Sequence, residues 1–178
     1  MNKRVLCVAA DGFEEIELVT PVDLLRRAGV EVVIVSLHEK LVKGRNGIVL
    51  QADLKLSEID SSQFDLLFVP GGPAVGELRR DGSVVELARQ FFQNGKWVAA
   101  ICAAPLVLLD AGLLDGKEYT AHFSTAGELA KILPDRVVVD GLIITSRGAG
   151  TALDFGFKLV DLLVGTEVTS EVSQAIMA

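Results

Sequence analysis

The longest apolar stretch of the chain, Trp97-Val-Ala-Ala-Ile-Cys-Ala-Ala-Pro-Leu-Val-Leu-Leu109, predicts the local structure that decides the fold. Its first part, Val98–Ile101, is apolar at consecutive positions, which is typical of a strand buried on both faces of a parallel sheet. Cys102 follows between small residues at the start of a predicted helix, and small neighbours are what a sharp strand-to-helix turn needs. The stretch contains Pro105 and is shorter than the roughly 20 residues of a membrane span, so we expect no membrane association.

Five further short apolar runs alternate with longer helical patterns. These runs are Val5–Ala9, Val32–Val35, Leu66–Val69, Val137–Val139 and Leu142–Thr145. With 178 residues, the chain has the length of one domain that can bury a full core. The alternation predicts a single α/β domain, residues 1–178, in which helices cover a parallel sheet. Ligands of such sheets bind beyond the carboxyl ends of the strands, so the loops after the strands are the first places to look for a site.

Three helices are predicted from capping residues, proline and pattern. Thr20 and Pro21 fit the N-cap and first position of the helix after the first strand, because proline is rare inside a helix. Thr151 and Asp154 fit a capping box for a helix near the end of the chain. A further helix is predicted over residues 125–132, after the loop that contains a histidine.

Charge and cysteine content argue against several classes of protein. Lysine and arginine number 17 against 24 acidic residues, and the resulting net charge of −7 poorly suits binding to nucleic acid. Cys7 and Cys102 lie far apart in sequence and form neither a disulfide framework nor a metal-binding motif. The sequence also contains no phosphate-binding loop and no complete dinucleotide fingerprint. We therefore expect a cytoplasmic protein with reduced thiols that uses no metal and no other cofactor.

Two of the loops after strands carry unusual residues. Residues 11–17, Asp-Gly-Phe-Glu-Glu-Ile-Glu, are either an acidic helix start, worth about 0.3–1 kcal/mol per carboxylate, or a set of carboxylates above the sheet. Residues 69–73, Val-Pro-Gly-Gly-Pro, are either an ordinary turn or an anion site made of exposed backbone amides. These residues alone leave both alternatives open.

A cysteine and a histidine are candidates for nucleophilic chemistry. A helix N-terminus stabilises a thiolate, although a lone cysteine is more often an inert core residue, as we expect for Cys7. His122 is either a loop histidine or the general base of Cys102, since Cys–His pairing is the usual means of activation. His38 is expected at the surface. Residues 148–150, Gly-Ala-Gly, lack the third glycine of a nucleotide fingerprint and are interpreted as close packing.

Five motifs in this order resemble the ThiJ/PfpI superfamily, and within it the branch of the parkinsonism-associated deglycase and its bacterial relatives. The motifs are Gly12–Glu17, Asp23–Gly29, Val69–Gly72, Ala100–Pro105 and Thr145–Thr151. The resemblance extends from Lys3 to about Gly165. It implies a flavodoxin-like, three-layer α/β/α sandwich with a mostly parallel sheet and a cysteine nucleophile elbow, and usually a homodimer.

The resemblance also implies three catalytic residues. Cys102 would be the reactive thiol on the elbow, and Glu17 would donate a hydrogen bond to its thiolate from a protonated carboxyl group. That arrangement requires a raised pKa at Glu17 and a lowered pKa at Cys102. His122 matches the active-site histidine of the family.

Further site residues follow from the same motifs. The oxyanion and substrate-binding positions would be formed by backbone amides and one carboxylate, from Gly71, Gly72, Ala103 and Glu14. Support from a partner subunit is expected from the polar residues Asp23, Arg27 and Arg45.

The resemblance implies an enzyme that needs no cofactor, a glyoxalase or deglycase. Its substrates would be methylglyoxal, glyoxal or glycated amines, which the Cys102 thiolate would attack to form a hemithioacetal. A redox-sensing stress protein or chaperone, in which Cys102 oxidises to a sulfinate, would need the same residues. An intracellular cysteine peptidase is a second alternative, because the superfamily also includes peptidases.

Overall fold

The computed structural model describes residues 3–178, and these fold into strands and helices that alternate along the chain. The strands are β1 (Arg4–Ala9), β2 (Glu31–Ser36), β3 (Leu41–Lys43), β4 (Val49–Gln51), β5 (Leu54–Lys55), β6 (Leu66–Val69), β7 (Trp97–Ile101), β8 (Val137–Asp140) and β9 (Ile143–Ser146). The α-helices are α1 (Glu15–Arg27), α2 (Ala74–Asp81), α3 (Ser83–Gln93), α4 (Pro105–Asp110), α5 (Ala152–Val164) and α6 (Thr166–Ala175). Each of the six predicted apolar runs contributes a strand to the main sheet.

The main sheet has seven strands in the order β5-β2-β1-β6-β7-β9-β8. Every neighbouring pair is parallel except β8 with β9. One group of helices comprises α1, α5 and α6, the other comprises α2, α3 and α4, and the two groups flank the sheet. The short strands β3 and β4 form a separate antiparallel hairpin. The predicted α/β sandwich with a mostly parallel sheet is therefore confirmed.

The core is continuous through the centre of the sheet. All residues of β6 are buried, and Phe68 on this strand meets Phe155 of α5 edge to face, with 5.5 Å between the ring centroids. Helices α1 and α5 approach closely at Gly156, where an added Cβ would lie 2.6 Å from a methyl group of Leu24. Cys7 is fully buried in β1, and burial raises the pKa of its thiol well above the usual range, as expected for a core cysteine. No helix within residues 3–178 is both long and apolar enough to cross a membrane.

Of the two alternatives for the first helix, the acidic helix start is confirmed and the start at Thr20 and Pro21 is wrong. Helix α1 begins at Glu15, and Pro21 lies inside it. The helix starts earlier because the Glu14 carboxylate accepts a hydrogen bond from the Glu17 backbone N–H over 2.9 Å and so caps the N-terminus. Pro21 is buried against α5, and this packing offsets the backbone hydrogen bond that proline cannot make.

Two other helix predictions also need correction. Helix α5 is present and Thr151 occupies its N-cap position, but the Thr151 side chain makes no capping hydrogen bond to the helix. The predicted capping box is therefore not formed. The Thr151 hydroxyl instead donates to the Gly148 carbonyl over 2.9 Å, within a 3-10 turn that precedes the helix. The helix predicted over residues 125–132 is absent, because a bridge between Tyr119 and Ile132 holds this segment as a loop. A 3-10 turn at Phe123–Thr125 is its only helical part among the described residues.

Candidate active site

Cys102 lies on a sharp turn directly after β7. Its φ angle is +66°, a left-handed conformation that is uncommon outside glycine and costs on the order of 1–3 kcal/mol. Neighbouring backbone holds the residue in place on both sides. Its N–H donates to the Ser146 carbonyl over 2.9 Å, and its carbonyl accepts from the His122 N–H over 2.8 Å. The turn leaves the Cys102 side chain half-buried at the carboxyl end of the sheet.

Glu17 is buried in the first turn of α1, and its carboxyl group lies beside the Cys102 side chain, since both adjoin Gly71 and Gly148. Two backbone N–H groups donate to this carboxyl group, one from Gly71 over 2.9 Å and one from Ala149. Burial raises the pKa of Glu17 to about 7, and these hydrogen bonds limit the increase. The side chain is thereby suited to accept and donate a proton near neutral pH.

The Cys102 thiol does not show the lowered pKa that was predicted. Burial and the negative charge of the Glu17 carboxylate raise the pKa of Cys102 to about 12, and the backbone N–H groups of Ala103 and Gly72 act in the opposite direction. The repulsion disappears when Glu17 carries the proton, because a neutral carboxyl group has no charge to oppose that of a thiolate, and it can then donate a hydrogen bond to sulfur. The ionisation of each side chain therefore depends on the state of the other.

The loop after β6 contains Gly71 and Gly72, and neither position has room for a Cβ. A Cβ at Gly71 would lie 2.5 Å from Oε2 of Glu17 and 2.6 Å from Cβ of Cys102. Gly72 has a φ angle of +93°, and a Cβ there would lie 2.7 Å from the Glu14 backbone nitrogen. Glu14 itself is buried as the cap of α1, and its negative charge helps to raise the pKa of Glu17. The loop thus brings backbone amides against both reacting side chains.

His122 lies beside the thiol, with its ring held by Ser124. Nδ1 accepts a hydrogen bond from the Ser124 N–H over 3.2 Å and lies 2.8 Å from Oγ of Ser124. Across residues 3–178, the ring makes no hydrogen bond to Cys102 or Glu17. The ring of Phe123 stacks on it, with 4.1 Å between the centroids. The structure therefore brings His122 to the site without a direct contact to the proton-sharing pair.

The three residues assigned to support from a partner subunit do not reach the thiol of their own chain. Asp23 and Arg27 form an ion pair over 2.7 Å on an exposed part of α1. Arg45 lies in the exposed turn between β3 and β4, where its N–H donates to the Phe13 carbonyl. A role for these three residues in the site of a partner stays a prediction.

Two positions at the site and one structural contact were missed in the sequence. A Cβ at Gly148 would lie 3.5 Å from His122, 3.8 Å from Glu17 and 3.9 Å from Sγ of Cys102, so this glycine adjoins all three side chains. Ala149 donates to Glu17. Gly148 and Ala149 follow the carboxyl end of β9, and this place after a strand could have identified them as candidate site residues. Glu15 is buried and holds the β3–β4 turn by accepting from the Asn46 N–H over 2.7 Å.

A cleft of about 740 Å³ opens beside His122 and Gly148. Its walls are formed by the histidine loop and by the turn between β9 and α5, and its lining includes Phe123, Ala126, Ile132, Leu133, Pro134, Arg136, Arg147 and Ala149. Within the described part of the chain, no three histidine, cysteine or acidic side chains are arranged to hold a metal ion.

Together, the sheet order, the strained cysteine and the buried glutamate define a class of protein, α/β sandwiches with a nucleophilic cysteine on a strand-to-helix elbow. The chain belongs to the DJ-1/PfpI family, whose model matches residues 3–162. This confirms the resemblance that the motifs indicate.

Relatives match over nearly the whole chain. The Drosophila melanogaster protein dj-1beta is 36% identical, and the match covers 99% of this chain and 98% of that protein. Its crystal structure matches with a TM-score of 0.96 at 35% identity and covers 100% of this chain and 99% of that chain. A deglycase from Thermococcus kodakarensis is 34% identical, with 90% of this chain and 99% of that protein covered. The glutathione-independent glyoxalase DJR-1.2 of Caenorhabditis elegans is 33% identical, with 95% and 92% covered.

Proposed function

We propose that the protein is a cofactor-independent glyoxalase or deglycase that acts on α-oxoaldehydes or on the amines they have modified. One observation carries this proposal: the buried Glu17 carboxyl group and the Cys102 side chain both lie against Gly71, where an added Cβ would be 2.5 Å from Oε2 of Glu17 and 2.6 Å from Cβ of Cys102. Burial also raises the pKa of Glu17 to about 7. The pair supplies a nucleophile and a proton acceptor in one place. The glyoxalase and deglycase among the relatives support the same chemistry.

The proposed reaction begins with addition of sulfur to the aldehyde. A bond forms between Sγ of Cys102 and the aldehyde carbon, and the carbonyl electron pair moves to oxygen. The thiol proton passes to Glu17, which then donates it to that oxygen and is a carboxylate again. Backbone N–H groups of Gly72 and Ala103, which face the sulfur, stabilise the charge that develops beside it. The product of this step is a hemithioacetal.

The second stage is an internal transfer of hydrogen. Glu17, with help from His122, removes the proton from the former aldehyde carbon and returns a proton to the neighbouring carbon through an enediol. The first carbon is thereby oxidised to a thioester while the neighbouring ketone is reduced to an alcohol. Water then cleaves the thioester, which releases a 2-hydroxy acid and restores the thiol. On a glycated amine, attack of Sγ at the carbon that bears nitrogen would form a C–S bond and break the C–N bond. The thiol proton would pass to the departing nitrogen, and the amine would be released.

Lactate formation from methylglyoxal without glutathione tests the proposal. Cys102→Ser and Glu17→Gln should each lower kcat/KM by at least about 10²-fold, since one acid–base group contributes about 10²–10⁴-fold. Glu15→Gln is the matched control, because Glu15 is also a buried carboxylate of α1 but faces the β3–β4 turn. Wild-type turnover that survives Cys102→Ser would exclude the covalent route.

A redox sensor is the second candidate, and the environment of the sulfur favours it. The N–H groups of Ala103 and Gly72, together with a protonated Glu17, are donors for the oxygen atoms of a sulfinate. Two equivalents of peroxide would supply the oxygen atoms and leave as water. A fully reduced wild type that forms no lactate but gains two oxygen atoms at Cys102 would establish this function instead.

We also propose that the chain is a single domain that forms a homodimer in the cytoplasm. Large apolar side chains are exposed on three neighbouring elements, α1, the β3–β4 hairpin and α5: Ile16, Val19, Ile48, Val49 and Leu153. A surface of this kind is typical of a subunit interface. Sedimentation of the wild type should give a dimer, and Ile16→Lys should give a monomer. A monomeric wild type would exclude the homodimer.

A further inference from the structure

Phe123 is a large apolar side chain exposed at the mouth of the candidate active site. It follows His122 directly, and 81% of its surface is accessible. Single exposed apolar residues are common and need no special role. This ring, however, packs at a tilt against the His122 ring, with 4.1 Å between the centroids and 36° between the planes, and the His122 ring is bound by Ser124. A large aromatic surface is therefore presented to solvent beside His122.

Phe123 continues into an apolar wall of the cleft. The wall is formed by the loop after His122 and includes Ala126, Ile132, Leu133 and Pro134. The cleft volume of about 740 Å³ falls within the roughly 300–1,000 Å³ of pockets that hold drug-sized ligands. Methylglyoxal is far smaller than such ligands. The cleft thus offers apolar contact area that the smallest α-oxoaldehydes cannot use.

Gly148 connects this cleft to the thiol. It lines the cleft, and its α-carbon bears no side chain at the point where a Cβ would lie 3.9 Å from Sγ of Cys102 and 3.5 Å from the His122 ring. Cys102 itself does not line the cleft, so a substituent on an aldehyde carbon bonded to sulfur must cross Gly148 to enter it. Phe123 belongs to the same cleft lining as Gly148.

We infer that Phe123 and the apolar wall form a specificity subsite for α-oxoaldehydes that carry an aromatic or branched apolar substituent. This inference rests on the proposed function, since it identifies the preferred substrate class of the same thiol. The aldehyde end reacts at Cys102, and the substituent lies across Gly148 against Phe123. Aromatic contacts and burial of apolar area then stabilise the larger substrate.

Comparison of phenylglyoxal with methylglyoxal tests the subsite. Phe123→Ala should lower kcat/KM for phenylglyoxal about three- to tenfold more than kcat/KM for methylglyoxal, the size expected for one aromatic contact. Any effect that acts through the His122 ring is common to both substrates. Val139→Ala is the matched control, since Val139 is an exposed apolar residue on β8 that does not line the cleft. Equal effects on the two substrates, or no effect on either, would overturn the inference.

A binding measurement separates this inference from the proposed function. Mandelate and lactate, the products expected from the two aldehydes, are compared for protection of Cys102 against alkylation by iodoacetamide. Mandelate should protect the wild type at several-fold lower concentration than lactate, and Phe123→Ala should remove that difference. If neither aldehyde is turned over, the proposed function fails, while the protection data still report on the subsite. Equal protection by mandelate and lactate would refute the subsite.

Discussion

Replacement of Gly71 by alanine tests whether the close approach of Gly71 to Glu17 and Cys102 is needed for the reaction of these two side chains. The new methyl carbon would lie 2.5 Å from Oε2 of Glu17 and 2.6 Å from Cβ of Cys102, and van der Waals contact between such atoms needs about 3.5 Å or more. The carboxyl group or the elbow must therefore move by about 1 Å. Overpacking of this kind costs typically about 1–3 kcal/mol of unfolding free energy.

The effect on activity should exceed the effect on stability. A displacement of about 1 Å at a reacting group can lower the rate on the order of 10²-fold, and here the displaced group is the proton acceptor itself. Lactate formation from methylglyoxal and denaturant unfolding of Gly71→Ala measure the two effects side by side.

Gly76→Ala provides the control for this substitution. Gly76 lies inside α2 and has space for a Cβ, whose nearest neighbour would be the flexible end of Arg80 at 3.5 Å. Alanine in a helix interior should stabilise the protein by roughly 0.5–1 kcal/mol and leave turnover unchanged. Wild-type turnover and stability in Gly71→Ala would refute the reasoning.

Three further predictions concern pH, an ion-pair cluster and the hairpin. The pKa of Glu17 rises from 4.5 to about 7 on folding, so the native state keeps a proton that the unfolded state loses between these values. Unfolding free energy should therefore fall by roughly 3 kcal/mol as the pH rises from 4.5 to 7, and subtraction of the Glu17→Gln curve isolates this contribution. Arg79→Lys should lower the free energy of urea unfolding by about 1 kcal/mol, because lysine cannot reproduce the paired hydrogen bonds to Asp110 and Glu128. An unchanged unfolding midpoint would contradict this. Glu15→Ala should lower the free energy of unfolding by about 1–3 kcal/mol and speed amide exchange in the β3–β4 turn. Unchanged exchange at Asn46 would show that Glu15 does not hold this turn.

The strands were predictable because their signal is local. Runs such as Leu66–Val69 are apolar at every position, and this pattern has few explanations other than a strand covered on both faces. The elbow at Cys102 was predictable for the same reason, since the strand, the small residues and Pro105 are contiguous. The resemblance then placed Glu17 beside Cys102, a proximity that spacing along the chain does not reveal.

The errors arose where distant residues decide the local structure. Pro21 suggested a helix start, but the Glu14 cap and the packing of α5 against α1 keep the helix continuous through it. The segment after His122 has a helical pattern, and the bridge from Tyr119 to Ile132 overrides that pattern. Local propensity is a weak guide wherever tertiary contacts oppose it.

The site residues that were missed depend on contacts across the fold. Ala149 donates to Glu17 only because β9 ends next to β7 in the sheet. Glu15 reaches Asn46 across 31 positions of sequence, and the acidic loop offered three similar glutamates with no means of separating their roles. The expected decrease in the Cys102 pKa failed for a physical reason, since the elbow that exposes the thiol to Glu17 also removes it from water.

We propose Glu17 as the proton partner of Cys102, and the carboxyl carbon of Glu17 reports on this role directly. We would follow its ¹³C chemical shift against pH in the reduced wild type, with Glu17→Gln identifying the resonance. We expect a midpoint near 7, raised from the ordinary value of 4.5 by burial. A midpoint at the ordinary value would show a carboxylate that is ionised independently of the thiol, and the proposed proton transfer would then be wrong.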